Sequence, residues 1–287
     1  MIHTVTERLV IPAVLFAMLI AMPVSAQQVL LEIRPRVGDT MNVRLDQKVE
    51  MTGVPPGCAT GYSGTQRTPG KQPVPRDCAD ATRQMTSVME IFSKAIVQAS
   101  SRNGSTVLAV TDSIRSAISG GANRAVKPRR IPASSQTIEL KVGTDGGAEV
   151  VDADASPEVR AIFGEMPATL SRQRVAVGDT WQRRMKIPIS TEAGASGTVR
   201  ATFRLDSLGS NGDIAYISMK GTLSHDHADS ELDGWMSGTM QLNRRLAWIT
   251  DTRAVIDVES TVKPPGGGPS MRVRTRITQA LRARSVR

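Results

Sequence analysis

Two long alternating runs, each closed by the same dipeptide, constrain this chain most. Met85 to Ser101 alternates apolar and polar, reverses at Asn103-Gly104 and returns through Thr106 to Ile118. Thr198 to Ser207 reverses at Asn211-Gly212 and returns through Ile214 to Leu223. Alternation puts every second side chain on one side of a strand. Asn-Gly supplies the backbone freedom of a tight reversal. Both stretches are therefore predicted to form antiparallel β-hairpins.

The remaining strands follow from the same pattern. Val29 to Arg34 reads as a short strand, and Met41 to Met51 and Trp181 to Ile189 as longer ones. Thr137 to Val142 and Ala148 to Val151 form a hairpin across Asp145-Gly146-Gly147, and Asp251 to Val262 pairs with Met271 to Ala283. One short helix is expected. Ser156 is a good cap, Pro157 suits the first helical position, Glu158 favours the first turn, and Gly164 stops it after Phe163.

Val37-Gly38-Asp39-Thr40 recurs as Val177-Gly178-Asp179-Thr180, an offset of 177 − 37 = 140. Each copy reads as a turn leading into a strand, with Asp bonding its own backbone just beyond. Gln136 to Leu140 resembles Gly238 to Leu242, and Ala148 to Asp152 resembles Ala247 to Asp251, in the same order. The expectation is a mainly β protein of antiparallel sheets in two related lobes, an internal duplication with one short connecting helix. The first lobe spans residues 27–155, the helical connector 156–170 and the second lobe 171–287.

Residues 1–26 have the form of a cleavable signal peptide. Arg8 precedes an apolar stretch from Leu9 to Met22, and Val24-Ser25-Ala26 is a small-residue exit, so cleavage is expected between Ala26 and Gln27. The stretch is shorter than the ~20 residues of a spanning helix, and no later segment is apolar enough to span. The expected location is periplasmic or extracellular. Export also suggests a disulfide between Cys58 and Cys78, closing a Gly- and Pro-rich loop 58–78.

The formal net charge is +9 and the aromatic fraction only 3%. Stacking platforms for nucleic acid need more rings, and a membrane β-barrel needs two aromatic girdles, so neither class is expected. Lys127, Arg129, Arg130 and the pairs Arg183-Arg184 and Arg244-Arg245 are scattered. Arg272, Arg274 and Arg276 alternate, so on a strand they share one face. That row is either a solvated face or a means of meeting an anionic envelope surface.

No residue set reaches the standard of a catalytic, metal or cofactor site. His225-Asp226-His227, with Asp229 or Glu231, offers too few metal ligands and reads as a polar loop. Ser260 and Lys263 have Ser-x-x-Lys spacing on a β-branched strand, where a penicillin-recognising enzyme would have a helix. Gly61-Tyr62-Ser63-Gly64-Thr65 lacks the final glycine of a nucleophile elbow. Asp152 and Asp154 read as solvated acids before the helix cap. Trp181, Trp235 and Trp248 are expected in the core, with an apolar cleft between lobes as the other reading.

With its two Val-Gly-Asp-Thr turns and the segment Arg244 to Thr252, the chain resembles an uncharacterised family of exported bacterial proteins. Such proteins carry a signal peptide, a Gly-Asp-Ser/Thr turn leading into a strand, and a late Gly-rich strand pair. The resemblance implies a fold and no chemistry. The expected function is binding without catalysis, of an apolar or lipid ligand between sheets. The competing readings are a structural or assembly component of the envelope and a hydrolase without a recognisable motif.

Overall fold

The alternating runs fold as strands close to the predicted positions. A computed structural model describes residues 28–54, 83–120, 129–131, 136–151, 167–188, 196–225, 232–262 and 271–286. The strands are β1 (Thr40–Val54), β2 (Arg83–Ser101), β3 (Gly104–Gly120), β4 (Arg129–Ile131), β5 (Gln136–Gly143), β6 (Ala148–Val150), β7 (Thr180–Pro188), β8 (Ser196–Gly209), β9 (Ile214–His225), β10 (Leu232–Asn243), β11 (Trp248–Val262) and β12 (Met271–Ser285). They form one sheet in the order β6-β5-β3-β2-β1-β12-β11-β10-β9-β8-β7, with β4 on β3. Every pairing is antiparallel.

The expected separate sheets are thus joined. The first wing, β1 to β6, and the second wing, β7 to β11, are each a run of sequential neighbours. β12 lies between them, paired to β11 on one side and to β1 on the other. A second difference concerns residues 29–34. They form no strand, and only Val29 makes a bridge, to Val175. The connecting helix, Cys58, Cys78, Ala26 and Gln27 lie outside the described residues.

The two Gly-Asp turns have the same construction. Gly38 and Gly178 take φ of 87° and 96°, a left-handed conformation that glycine adopts without strain. The Arg36 and Ala176 N–H groups donate to Oδ2 of Asp39 and Asp179 at 2.9 and 2.7 Å. Each aspartate therefore bonds three residues behind itself, not just beyond as its sequence suggests. The Gly38 N–H donates to Val97 O, and the Gly178 N–H to Leu205 O. The hairpin tips differ. Ser101 faces Gly104 across two residues, whereas Gly209 faces Ile214 across four, in a turn with Ser210, Asn211 and Gly212 all at positive φ.

Two connecting segments draw the far edges of the sheet together. Ile33 N–H donates to Thr144 O in the β5–β6 turn, while Arg34 N–H donates to Ala247 O in the β10–β11 turn. Thr169 and Leu170 N–H groups both donate to Asp145 O. From the other edge, Trp181 Nε1 donates to Thr169 O at 2.8 Å and the Arg183 guanidinium to Leu170 O. Val29, Leu31, Ile33 and Leu170, at 0 to 4% exposure, are buried in one apolar cluster with Val107 and Leu140 of the first wing and Phe203 and Ile217 of the second. The sheet is therefore curled around a plug at one end, which also holds the four hairpin tips.

Candidate functional site

Register divides the sheet into two chemically distinct faces. The face that holds the core, the inner face, carries the register pairs Val107–Leu140, Met41–Ala95 and Leu205–Ile217. Among the described side chains outside the bulges, this face carries one charged residue, Arg183 on the edge strand β7. The outer face carries Arg44, Asp46, Lys48 and Glu50 on β1 alone. An unpaired ion on an apolar face would lose several kcal/mol of solvation. The Arg183 guanidinium is tied to the Leu170 carbonyl instead.

Methionine is sorted as sharply. Met41, Met51, Met85, Met89, Met185, Met219, Met236 and Met240 all project from the inner face. Methionine is unbranched and polarizable, and it adapts to irregular apolar shapes.

Exposure then separates the wings. In the second, β8 and β9 close the inner face from the plug to the opposite end: Leu205 is 0% exposed, Phe203 1%, Val199 2% and Leu223 4%. Phe203 stacks on Trp181 with ring centroids 5.8 Å apart. In the first wing Met41 at the plug is 0% exposed and Ile91 4%, whereas toward the opposite end Met85 is 41% and Ile118 53% exposed. Leu45, Val49, Met51 and Ile114 keep part of their surface open, as do Ile277 and Leu281 of β12. Polar but uncharged groups lie among them: Gln47, Ser87, Ser93 and Gln279. The result is an apolar surface with scattered hydrogen-bonding groups, running from the plug toward the opposite end.

The outer face is ionic. Arg272, Arg274 and Arg276 share it as expected, but acids are set among them. Asp257, 3% exposed, lies 3.5 Å from Arg274 and 4.0 Å from Arg276. Arg282 approaches Asp251 at 3.9 Å. On the first wing, Arg44 bonds Asp46 at 2.8 Å and Glu90 at 3.3 Å, and Arg115 reaches Glu90 at 3.7 Å. Both guanidiniums lie over the Phe92 ring. The hydrogen bond and charge of Asp46 raise the pKa of Arg44 above its ordinary value.

The other sequence candidates are dispersed. Trp181 is half-buried in the core and Trp248 packs against it. Trp235 corrects the expectation of a core position, for it stands on the outer face at 45% exposure. Its register partners Thr222 and Asp257 belong to that face, and alternation alone gives no sign of which side is inner. His225 ends β9 and Ser260 lies in β11. His227, Lys263, Ser63, Asp152 and Asp154 are outside the described residues. A polar cleft of about 540 Å³ opens at the plugged end beside Glu32, Arg102 and Arg172. There the Arg172 guanidinium is taken up by Asp145 at 3.0 Å.

No family model matches this chain, and no curated protein matches it. Among solved structures, one of lipovitellin, concerned with lipid–protein interactions, is similar at 10% identity and a TM-score of 0.49. It covers 87% of this chain, which spans 25% of the lipovitellin chain. OccK5 (OpdH) of Pseudomonas aeruginosa is similar at 8% identity and a TM-score of 0.20, over 86% of this chain and 98% of that one. Among the described residues no helix is long and apolar enough to cross a membrane.

Proposed function

We propose that this protein is an exported, non-enzymatic binding protein of the cell envelope that holds an apolar, lipid-type ligand against the inner face of its first wing and β12. One observation carries the reading. The face is almost free of charge across the sheet, yet Leu45, Val49, Met51 and Ile114 of the first wing and Ile277 and Leu281 of β12 leave part of it open, and Met85 and Ile118 are exposed. A sheet with one apolar face must cover that face with another layer, and here a ligand completes the layer. The methionines suit an occupant of variable shape. With no cation along the described open part of this face, a charged headgroup stays outside and the groove takes the uncharged part of the ligand.

In the same reading the two wings are copies of one ancestral unit, with β12 added as a seam. The matching Gly-Asp turns support this, as do the matching bulges. Register shifts at Val97/Ala99 opposite β3 and at Leu205/Ser207 opposite β9. Carried outward from those bulges, register sets Leu140 against Val107 and Met240 against Ile217. The equivalent of Leu140 is then Met240, two residues from the match suggested by sequence.

The test is a titration of the mature chain with an environment-sensitive hydrophobic dye. The native protein should bind it saturably, and a fatty acyl ligand should displace it. Leu45→Glu and Ile277→Glu should each lower dye affinity at least about tenfold, since burying a charge without a partner costs several kcal/mol. Lys48→Glu, on the outer face, should leave it unchanged. Dye binding that rises only as the protein unfolds would sink the reading.

A further inference from the structure

The outer face of the second wing differs in charge from that of the first. Arg44 lies five residues past Asp39, and Arg184 lies five residues past Asp179. Arg44 faces Phe92 on β2, while Arg184 faces Arg200 on β8. The acids that neutralise Arg44 are Asp46 and Glu90. At the matching positions the second wing has Lys186 and Thr198. Two arginines therefore stand directly opposite each other, an arrangement that destabilises a sheet.

The same row continues through Thr222 on β9 to the exposed indole of Trp235 on β10. Lys220, also exposed, lies one diagonal step from Arg200. None of Arg184, Arg200 and Lys220 has an ion pair among the described residues. The nearby acids are engaged elsewhere. Asp257 holds Arg274 and Arg276, Asp206 bonds Ser218 and faces Arg204, and Asp233 accepts from the Gly234 N–H.

We infer that this row, Arg184–Arg200–Thr222–Trp235 with Lys220, docks the protein on an anionic, phosphate-bearing lipid surface. Arginine forks match phosphate oxygens in a bidentate way, and a phosphate between Arg184 and Arg200 removes their mutual repulsion. Trp235 selects a lipid surface over a dissolved anion. An indole partly exposed beside cations has the amphipathic character of residues at a membrane–water interface. The row crosses four strands, about 14 Å at ~4.8 Å per strand, too wide for one phosphate and wide enough to meet several headgroups. This surface is opposite the proposed ligand groove and does not depend on it.

The experiment is co-sedimentation of the mature chain with vesicles of phosphatidylglycerol and phosphatidylcholine, or of phosphatidylcholine alone, at low and moderate salt. Wild type should bind the anionic vesicles, leave them as salt rises, and bind the neutral ones weakly. The double variant Arg184→Gln/Arg200→Gln should bind at least about tenfold more weakly, from the loss of two charges at an anionic surface. Its melting temperature should equal or exceed that of wild type, because the opposed pair is gone. Trp235→Ala and Lys220→Gln should each weaken binding by a smaller factor. Arg245→Gln, an exposed turn position, should not. Equal binding by the double variant, or equal binding to neutral vesicles, would overturn the inference. Tighter binding to double-stranded DNA than to vesicles would also overturn it, as would submillimolar binding of inorganic phosphate lost in the same variant. Dye titration should be unchanged in all these variants, so its failure and the failure of surface docking are separate results.

Discussion

The two wings share strand order, turn construction and one bulge, at Val97/Ala99 and Leu205/Ser207, yet they dispose of their apolar faces differently. The second wing fills its inner face with protein: Phe203, Met219, Leu223 and Met236 are all buried. Three inner-face glycines, Gly221, Gly234 and Gly238, let its strands approach closely. A Cβ on Gly234 would lie 2.6 Å from the Asp257 carbonyl oxygen, and one on Gly238 would meet Arg253 O. Strand glycines of this kind mark tight bends. At the positions that match Gly221 and Gly238 the first wing has Thr111 and Ile138, both buried, and its surface opens farther from the plug, at Ser87, Met89 and Ile118. The lesson is that one β-meander can serve as a closed core or as an open wall, according to the size and polarity of the side chains on one face.

The contrast can be broken most directly by truncation. Phe203→Ala should cost about 3–5 kcal/mol in chemical denaturation, the range for a buried aromatic. Leu45→Ala, half open on the first wing, should cost about 1 kcal/mol. Equal losses would mean that the first wing is as closed as the second. A smaller effect tests the bend. Gly234→Ala forces a methyl against a neighbouring backbone and should cost about 1–3 kcal/mol, whereas a neutral outcome would remove close approach as the reason for glycine there. The smallest effect sharpens the likeness of the wings. Asp39→Ala and Asp179→Ala each delete one carboxylate-to-backbone hydrogen bond and should each cost about 1 kcal/mol. A clear disparity between the two would show that the turns are alike in shape only.

Much of this was legible strand by strand. Alternation located the hairpins of Met85–Ile118 and Thr198–Leu223 and the late pair of β11 and β12, and it put Arg272, Arg274 and Arg276 on one face. The long-range relations were not legible. β1 meets β12 through pairs such as Leu45 with Leu281, and no local pattern announces a partner so far along the chain. The inner side of each strand depends on that register, which is why alternation alone does not show that Trp235 lies on the outer face. The opposition of Arg184 and Arg200 likewise exists only once β7 and β8 are aligned. Val29 to Arg34 failed as a strand for a related reason. Its apolar residues fill the plug instead of joining a ladder, and Ile33 and Arg34 bond to turns belonging to different wings.

The position of β12 has a consequence for how the molecule is assembled. Its register partners on β1 begin at Met41 and its own last paired residue is Ser285, so the seam joins the first of the described strands to the last. Synthesis at ~5–20 residues per second puts the two on the order of tens of seconds apart. During that interval β1 presents a bare hydrogen-bonding edge beside an apolar face, the combination most prone to pairing with another chain, and β11 joins it briefly before β12 follows. Contacts of such high sequence separation also slow folding. A chain truncated before Met271 is therefore left with two sticky half-sheets, and a peptide spanning residues 271–286, supplied separately, is the natural agent to close them.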